Sequence, residues 1–338
     1  MRKTHLIAAA IAVTGALALA GCAAGTADPA PAVGEGGRIE HAFGETRLPQ
    51  NPERVVTIGW GATDAALALG VVPVGIESQQ YGADPEGVLP WVRAALEESG
   101  AQAPTLLSSA NQGAPAYEEI AALEPDLILA PYSGIDQEQY GLLSEIAPTV
   151  AYPSEPWATP WRDVIVMTGA ALGRNEEASE LVSTIEQQLS AAGAEHPEFA
   201  GRTVAAIRES AGELYVYKPA DPRVEFLTDL GFVSAPSVDA LASGQESFFF
   251  TLSQEKTAEL DAEVLVVYAD TQAEYDAFLA QPYAQAIPAV QRGAVAPVVG
   301  QSLVASLSPP TALSVSWGLN DYLAALTPAV EAVGSAAG

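Results

Sequence analysis

The sequence predicts an α/β fold of two Rossmann-like lobes joined by a long α-helix. Three observations lead to this prediction. Predicted strands and helices alternate in both halves of the chain, a strand-free helical stretch separates the halves, and one helix-then-strand segment recurs 137 residues later. Such alternation is typical of layered α/β domains with mostly parallel sheets. The 338 residues, 49% of them hydrophobic, are enough for two such domains.

The first half contains short β-branched runs that predict buried strands, each followed by a helical pattern. We predict strands at Arg54–Gly59, Val71–Ile76, Asp126–Ala130 and Thr149–Tyr152, and helices at Ala62–Leu69, Val88–Glu98, Tyr117–Leu123 and Gln137–Ile146.

Three prolines, Pro153, Pro156 and Pro160, then interrupt the alternation. Residues 161–192 are almost all helix-forming, with a break predicted at Gly173, and we interpret them as the connector between the lobes. In the second half we predict strands at Thr203–Arg208, Leu214–Tyr217, Val264–Tyr268 and Ala294–Val298, and helices at Val224–Leu230, Ser253–Leu260, Gln272–Leu279 and Ala312–Leu326.

The recurring segment relates the two halves. It runs from Glu118 through Leu123 to Asp126 in the first half, and a similar order of residue types begins at Glu255 in the second. Each copy is a Glu-led helix followed by an acidic residue and an apolar strand. Helix-then-strand units are common, but together with the central helix this pattern favours an internal two-lobed repeat. The predicted divisions are a lipoprotein signal peptide at 1–21, a flexible tether at 22–37, an N-terminal lobe at 38–158, an inter-lobe helix region at 159–195 and a C-terminal lobe at 196–338.

The N-terminus indicates export and lipid attachment. Arg2 and Lys3 precede an apolar run, Leu6 to Ala18, that is too short to span a bilayer. Small residues then lead to Cys22, the only cysteine in the chain, in an order that resembles a bacterial lipobox. We therefore predict acylation of Cys22 and a lipid-anchored, extracytoplasmic protein; the alternative is a chance cysteine after an ordinary signal peptide.

Composition argues against several function classes. The formal net charge of −28 disfavours nucleic acid as a partner. The chain has no Gly-x-Ser-x-Gly elbow and no phosphate-binding loop. His41 and His196 are predicted to be solvated surface histidines, and with one cysteine they do not make a usual zinc site. A pair of carboxylates acting on glycosidic bonds stays open as an alternative.

Aromatic and polar residues near predicted strand ends are the candidate binding residues. Ligands of open α/β sheets bind beyond the carboxyl ends of strands, in clefts walled by apolar side chains with a few polar groups. Core packing is the alternative for each aromatic residue. Arg208 ends a predicted strand and could bind an anionic ligand, with an ordinary salt bridge as its alternative and Arg223 or Lys218 as substitutes. The other candidates are Trp60, Tyr81, Tyr132, Ser133, Trp157, Tyr215, Tyr217 and Phe248.

Several segments together resemble ferric-siderophore substrate-binding lipoproteins of ABC importers, a family that shares its fold with vitamin B12 binding proteins. The segments are Arg54–Gly59, Asp64–Gly75, Glu119–Leu129, Trp161–Gly173 and Phe226–Phe232. The resemblance covers roughly residues 38–326. It implies a ligand cleft between two lobes, a rigid inter-lobe helix, and one exposed glutamate on each lobe, here Glu118 and Glu255, that docks onto the permease.

The resemblance also implies a binding protein without catalytic residues, resident cofactor or metal ligands, because iron arrives already chelated. We predict a monomer that passes a ferric siderophore to an ABC permease and its ATPase. Few basic residues fall on the predicted strand-end loops, so a ferric hydroxamate is favoured over a triply anionic catecholate. Haem and cobalamin are alternatives within the same fold, and a secreted lipid-anchored hydrolase is the alternative from another class.

Overall fold

The computed structural model describes residues 33–34, 37–108, 113–242 and 248–336. Cys22, the predicted signal peptide and most of the predicted tether lie outside these residues. The first described elements are three short strands, β1 (Val33–Gly34), β2 (Arg38–His41) and β3 (Gly44–Arg47), which form a small antiparallel sheet.

The N-terminal lobe is built on a five-stranded parallel sheet. Its strands are β4 (Val55–Thr57), β5 (Gly75–Glu77), β6 (Thr105–Leu107), β7 (Leu127–Ala130) and β8 (Thr149–Ala151), in the spatial order β6-β5-β4-β7-β8. Its helices are α1 (Ala62–Ala68), α2 (Pro90–Ser99), α3 (Tyr117–Ala122) and α4 (Gln137–Ile146). The parallel sheet places the carboxyl ends of all five strands at one edge.

The connector is a pair of helices rather than one continuous helix. These are α5 (Trp161–Ala171) and α6 (Asn175–Glu195), and the predicted break falls at Gly173, which has a φ of 71°. The helices run antiparallel, because a Cβ on Gly169 would overlap that of Ala178 while Arg162 Nε contacts Glu186 Oε1 at 2.6 Å. Helix α6 has 21 residues and is therefore about 31 Å long.

The C-terminal lobe has a six-stranded mixed sheet. Its strands are β9 (Thr203–Ser210), β10 (Glu213–Tyr217), β11 (Val233–Ser234), β12 (Phe249–Leu252), β13 (Val264–Ala269) and β14 (Val295–Val299). The path is β12-β10-β9-β13-β14, and β11 pairs with β9. Its helices are α7 (Pro222–Asp229), α8 (Pro236–Leu241), α9 (Gln272–Leu279), α10 (Pro282–Gln285), α11 (Pro288–Gln291), α12 (Gln301–Ser306) and α13 (Ser314–Ala336), with 3-10 helices at Pro197–Phe199 and Gln254–Glu259.

The antiparallel part of this sheet follows from a tight turn. Only Ala211 and Gly212 separate β9 from β10, and both have positive φ values, 54° and 84°. A two-residue connection of this kind can only produce an antiparallel hairpin. The mostly parallel sheet that we predicted is therefore found in full only in the N-terminal lobe.

The internal repeat is visible in how each lobe holds its central strands. Asp126 precedes β7 and accepts hydrogen bonds from the amides of Glu53 (2.8 Å) and Arg54 (3.0 Å). Glu263 precedes β13 and accepts one from the amide of Thr203 at 2.8 Å. Each acid thus fixes the start of the neighbouring strand. The copies differ locally, because the segment after Glu255 is a 3-10 helix and not the α-helix we predicted.

One buried cluster links the two sheets. Alternate residues of β7, Leu127 and Leu129, belong to this cluster, as do Val266 and Tyr268 of β13. The intervening residues of both strands face separate clusters, one in each lobe. Residues of α5, α6 and α13 complete the shared cluster.

None of the described helices combines the length and the hydropathy needed to cross a membrane.

The prediction that His41 is a solvated surface residue is wrong. His41, the last residue of β2, is buried, and its Nε2 lies 2.8 Å from Thr46 Oγ1 and 3.3 Å from the Tyr140 hydroxyl. Burial lowers the pKa of the imidazole. His41 therefore helps to attach this sheet to the N-terminal lobe.

Candidate ligand-binding site

Two loops of the N-terminal lobe, each directly following a strand, lie side by side next to the C-terminal lobe. Trp60 follows β4 and its amide donates to the Tyr132 carbonyl, after β7, at 2.9 Å. Gly59 makes this approach possible, because a Cβ there would overlap the Tyr132 carbonyl oxygen. The adjacent strands β4 and β7 thus place Trp60 and Tyr132 at one edge of the sheet, as we predicted from their positions.

A cleft of about 230 Å³ opens between the lobes beside Tyr132. Side chains from both lobes line it, and three of them, Tyr132, Trp157 and Phe248, are aromatic residues we predicted as ligand contacts. Trp157 is 50% exposed and Phe248 46% exposed. Exposed aromatic side chains from two separate segments of the chain suit a small molecule with apolar surface. The cleft is also lined by Ala158, Thr159, Pro160, Ala220, Asp221, Pro222, Arg223, Glu225, Ser308 and Pro309.

Trp157 is held at the rim by its backbone. It adopts a left-handed conformation with φ 59°, and its amide donates to the Ser133 carbonyl at 3.1 Å. Its ring packs edge-to-face on Tyr132, with centroids 5.7 Å apart. Non-glycine residues with positive φ are uncommon and mark positions that the surroundings must hold. The geometry therefore directs a large aromatic surface towards the cleft.

Arg223 is the positively charged group of this cleft. Its Nη1 donates to Asp221 Oδ2 at 2.8 Å, its Nε donates to Ser308 Oγ at 2.8 Å, and its guanidinium lies 4.2 Å from the centre of the Tyr217 ring. Among the described residues, Nη2 makes no hydrogen bond. An arginine held on three sides with one nitrogen available is suited to bind an oxygen of a ligand.

Carboxylates balance this charge. Asp221 is fully buried beside Arg223, and Glu225 lines the same cleft. Burial raises the pKa of Asp221, an effect that the neighbouring guanidinium opposes, and burial also raises the pKa of Glu225. Burial raises the pKa of the Tyr132 hydroxyl to about 12, so it stays protonated and can donate. The cleft is therefore not strongly cationic.

Direct contacts between the lobes close the region next to this cleft. Trp60 Nε1 donates to the Pro309 carbonyl at 3.0 Å. Further inside, the buried Asp64 carboxylate accepts from Trp91 Nε1 at 2.6 Å and from the Thr311 hydroxyl. Trp60 therefore both faces the cleft region and joins the lobes.

Tyr81 and Arg208 lie in a second inter-lobe contact and are not among the residues that line the cleft. Arg208 Nη2 donates to Asp270 Oδ1 at 2.7 Å and Nη1 donates to the Tyr81 hydroxyl at 3.1 Å. The Tyr81 hydroxyl in turn donates to Asp270 at 2.5 Å. The salt bridge that we considered as the alternative for Arg208 is thus present.

The other candidates occupy supporting or peripheral places. The Ser133 hydroxyl is buried and donates to the Ala130 carbonyl at 3.0 Å, while Tyr217 lies beneath Arg223. The Tyr215 hydroxyl donates to Glu213 at 2.8 Å. Glu118 and Glu255 are exposed, each in the first turn of a short helix.

The comparison with known proteins identifies the family. Residues 55–298 match the family described as periplasmic binding protein. The chain belongs to the periplasmic binding protein family. The two α/β lobes that we predicted are confirmed, and the predicted resemblance to binding proteins for iron complexes is confirmed. The family is one of binding proteins and not of enzymes, which removes the hydrolase alternative.

Relatives within this family have names that describe iron complexes. PiaA of Streptococcus pneumoniae TIGR4, solved in complex with ferrichrome, is 38% identical with a TM-score of 0.77, covering 87% of this chain and 99% of its own. The ferric enterobactin-binding periplasmic protein FepB of Escherichia coli O6:H1 is 29% identical over 304 residues, 86% of this chain and 91% of its own. The probable siderophore-binding lipoprotein YfiY of Bacillus subtilis is 28% identical over 235 residues, 68% of each.

In the sequence, Arg208 is a stronger candidate than Arg223, and neither Asp221 nor Ser308 stands out. A local signal for Arg223 existed, because Asp221-Pro222 is a typical helix start and places the next residue in the first turn. The helix predicted to begin at Val224 begins at Pro222. Ser308, far along the chain from Arg223, had no such signal.

Among the described residues, no cluster of three or more His, Cys, Asp or Glu side chains is placed to hold a metal ion.

Proposed function

We propose that this binding protein captures a ferric siderophore of the hydroxamate type outside the cytoplasm and delivers it to an ABC permease. The observation that carries the proposal is the set of side chains that line the 230 Å³ cleft, which includes three aromatic rings, one guanidinium and two carboxylates. A ferric hydroxamate without net charge gains from apolar burial and needs few charged partners.

Two relatives suggest different ligand classes for this chain. PiaA is named with ferrichrome, a hydroxamate, and FepB with ferric enterobactin. A triply anionic ferric catecholate would bring its charge next to Asp221 and Glu225, and among the described residues that line the cleft only Arg223 would oppose this repulsion. Because like charges in a partly desolvated cleft repel strongly, the hydroxamate is favoured.

Membrane attachment and permease docking complete the proposal. Acylation of Cys22 would attach the protein to the membrane, in keeping with relatives named as lipoproteins. Glu118 and Glu255 are exposed and occupy equivalent places in the internal repeat, so they would offer one carboxylate from each lobe to the permease. We propose that the protein acts as a monomer and that iron enters the cleft already chelated.

Ligand titration tests the proposal. Tryptophan fluorescence of the soluble protein beginning at Ala23 would be followed while ferrichrome, ferric enterobactin, haem or cobalamin is added. We expect saturable quenching by ferrichrome at sub-micromolar concentration, because Trp60 and Trp157 lie at or beside the cleft. Tighter binding of ferric enterobactin would overturn the hydroxamate assignment. Binding of haem or cobalamin alone would overturn the siderophore assignment.

A further inference from the structure

The Trp157 ring lies directly over a glycine. A Cβ built on Gly134 would overlap Nε1 of the indole and would lie 2.6 Å from its Cε2 and 2.8 Å from its Cζ2. These distances are well inside van der Waals contact, so the ring can occupy this place only if residue 134 has no side chain. The wall of the cleft therefore depends on a residue that does not itself line it.

We propose that Gly134 is a positioning residue for ligand binding, since its missing side chain allows Trp157 to lie flat and face the cleft. This inference rests on the proposed function. It concerns the width of the cleft and therefore which ferric siderophores fit. A larger residue at 134 would lift the indole off the loop, remove its contact with Tyr132 and change the shape of the rim.

Two hydrogen bonds, one at Trp157 and one at Thr159, determine which part must move. The Trp157 amide is bound to the Ser133 carbonyl at 3.1 Å, and the Thr159 hydroxyl donates to the Pro131 carbonyl at 2.7 Å. With the backbone held, a collision at residue 134 is relieved by rotation of the indole. Because Trp157 is half exposed, this rotation meets little resistance from the protein itself.

Alanine at position 134 is otherwise well tolerated by the loop. Gly134 does not have a positive φ, it is exposed, and the three nearest atoms to its added Cβ all belong to the Trp157 ring. We therefore expect Gly134→Ala to leave the melting temperature nearly unchanged. An effect on ligand binding would then come from the moved indole and not from unfolding.

The test is a double-mutant cycle on the soluble protein beginning at Ala23. Gly134→Ala should weaken ferrichrome binding roughly tenfold, a typical effect of displacing a tryptophan contact. In a Trp157→Ala background the same change should have no further effect, because the ring is already gone. Gly141→Ala is the matched control, since an added Cβ there meets nothing within 4 Å and binding should stay unchanged.

A ligand-free measurement separates this inference from the proposed function. The near-ultraviolet circular dichroism of the unliganded protein should change in Gly134→Ala, in the direction of Trp157→Ala, and not in Gly141→Ala. Wild-type affinity in Gly134→Ala with an unchanged spectrum would overturn the inference. The inference would also be overturned if Gly134→Ala reduced ferrichrome affinity equally in the presence and in the absence of Trp157. If the wild type binds none of the ferric siderophores, the proposed function fails, and the spectrum alone decides whether Gly134 positions the ring.

Discussion

Arg208 and Asp270 form a salt bridge of 2.7 Å at the carboxyl ends of the neighbouring strands β9 and β13. Both also hydrogen-bond the Tyr81 hydroxyl of the other lobe. Burial raises the pKa of that hydroxyl to about 12, so it remains a donor at neutral pH. The Arg208 guanidinium is thus engaged in joining the lobes, whereas Arg223 Nη2 has no hydrogen-bond partner within the part of the chain that the structure describes.

We therefore expect Arg223→Ala to reduce affinity for the ferric siderophore far more than Arg208→Ala. A hydrogen bond from a charged group contributes roughly 1.5–3 kcal/mol, so the loss at Arg223 should be about tenfold to a hundredfold. Arg208→Ala should change affinity less than about threefold. Isothermal titration calorimetry would measure both. Arg202→Ala, which removes a half-exposed arginine paired with Glu263, is the control for lost charge.

The stability of the Arg223 variants needs a separate check. Arg223→Ala leaves Asp221 buried without its ion-pair partner, which destabilises a protein. Arg223→Lys keeps the charge and loses the planar fork, so it should fold better while still binding more weakly. Equal affinity losses in Arg208→Ala and Arg223→Ala would show that both guanidinium groups reach the ligand.

A second prediction concerns the contact between the two strand-end loops. Gly59→Ala should destabilise the protein by at least about 2 kcal/mol more than Gly70→Ala, measured by urea unfolding. Both glycines have a positive φ, 81° and 76°, so both variants share the backbone strain. Only at Gly59 would the new Cβ also collide with the Tyr132 carbonyl, whereas nothing lies within 4 Å at Gly70. Equal losses of unfolding free energy in Gly59→Ala and Gly70→Ala would contradict the close contact between the two loops.

A third prediction concerns pH. Burial raises the pKa of Asp64 from 3.8 to about 6 in the folded protein. Between these values the folded state holds a proton that the unfolded state has lost, so this carboxyl's contribution to stability falls as pH rises from about 4 to about 6. The rise in pKa corresponds to roughly 3 kcal/mol. Asp64→Asn keeps an acceptor for Trp91 and Thr311 and has no such loss.

The measurement is the free energy of unfolding of both proteins from pH 4 to pH 8. The free energy of unfolding of Asp64→Asn minus that of the wild type should increase between pH 4 and about pH 6. Above about pH 6 this difference should stay constant. His41 acts in the opposite direction, since its lowered pKa makes stability fall as pH drops below 6.5, but it is present in both proteins and cancels. A pH-independent difference would contradict the buried ionisation of Asp64.

A fourth prediction separates transport from binding. Charge reversal of Glu118 or Glu255 to lysine should leave ferric-siderophore affinity unchanged, because neither residue lines the cleft. The same variants should reduce uptake of iron-loaded siderophore by cells at least about tenfold if these carboxylates dock on basic pockets of the permease. Glu180→Lys, an exposed glutamate on α6, is the matched control. Unchanged uptake in both variants would remove the docking assignment.

Local signals were sufficient for most elements of the fold. Gln137–Ile146 and Gln272–Leu279 were predicted to the residue, because each follows a clear N-cap, Asp136 and Thr271. The strand expected at Val71–Ile76 instead begins at Gly75, since Pro73 has no amide to donate to the sheet. The short strand at Phe249–Leu252 was not among the predicted strands, although it directly follows Phe248, which was a candidate ligand contact.

The site was less predictable because it depends on long-range pairing. Trp60 and Tyr132 were predicted as site residues because each follows a predicted strand, and the structure places the two residues in contact. Whether Arg208 is available to a ligand depends on Asp270, which is 62 residues away in sequence. Arg223 is oriented by Ser308, which is 85 residues away. Periodicity and propensity carry no information about such a partner.

The cluster shared by β7 and β13 has a consequence for how the chain unfolds. Separating the lobes would expose Leu127 and Leu129 on one side and Val266 and Tyr268 on the other, so neither lobe loses its packing alone. Heat should therefore melt both lobes in one cooperative transition. A ligand that bridges the lobes would then slow amide exchange in the centres of both sheets equally, including strands that it never touches.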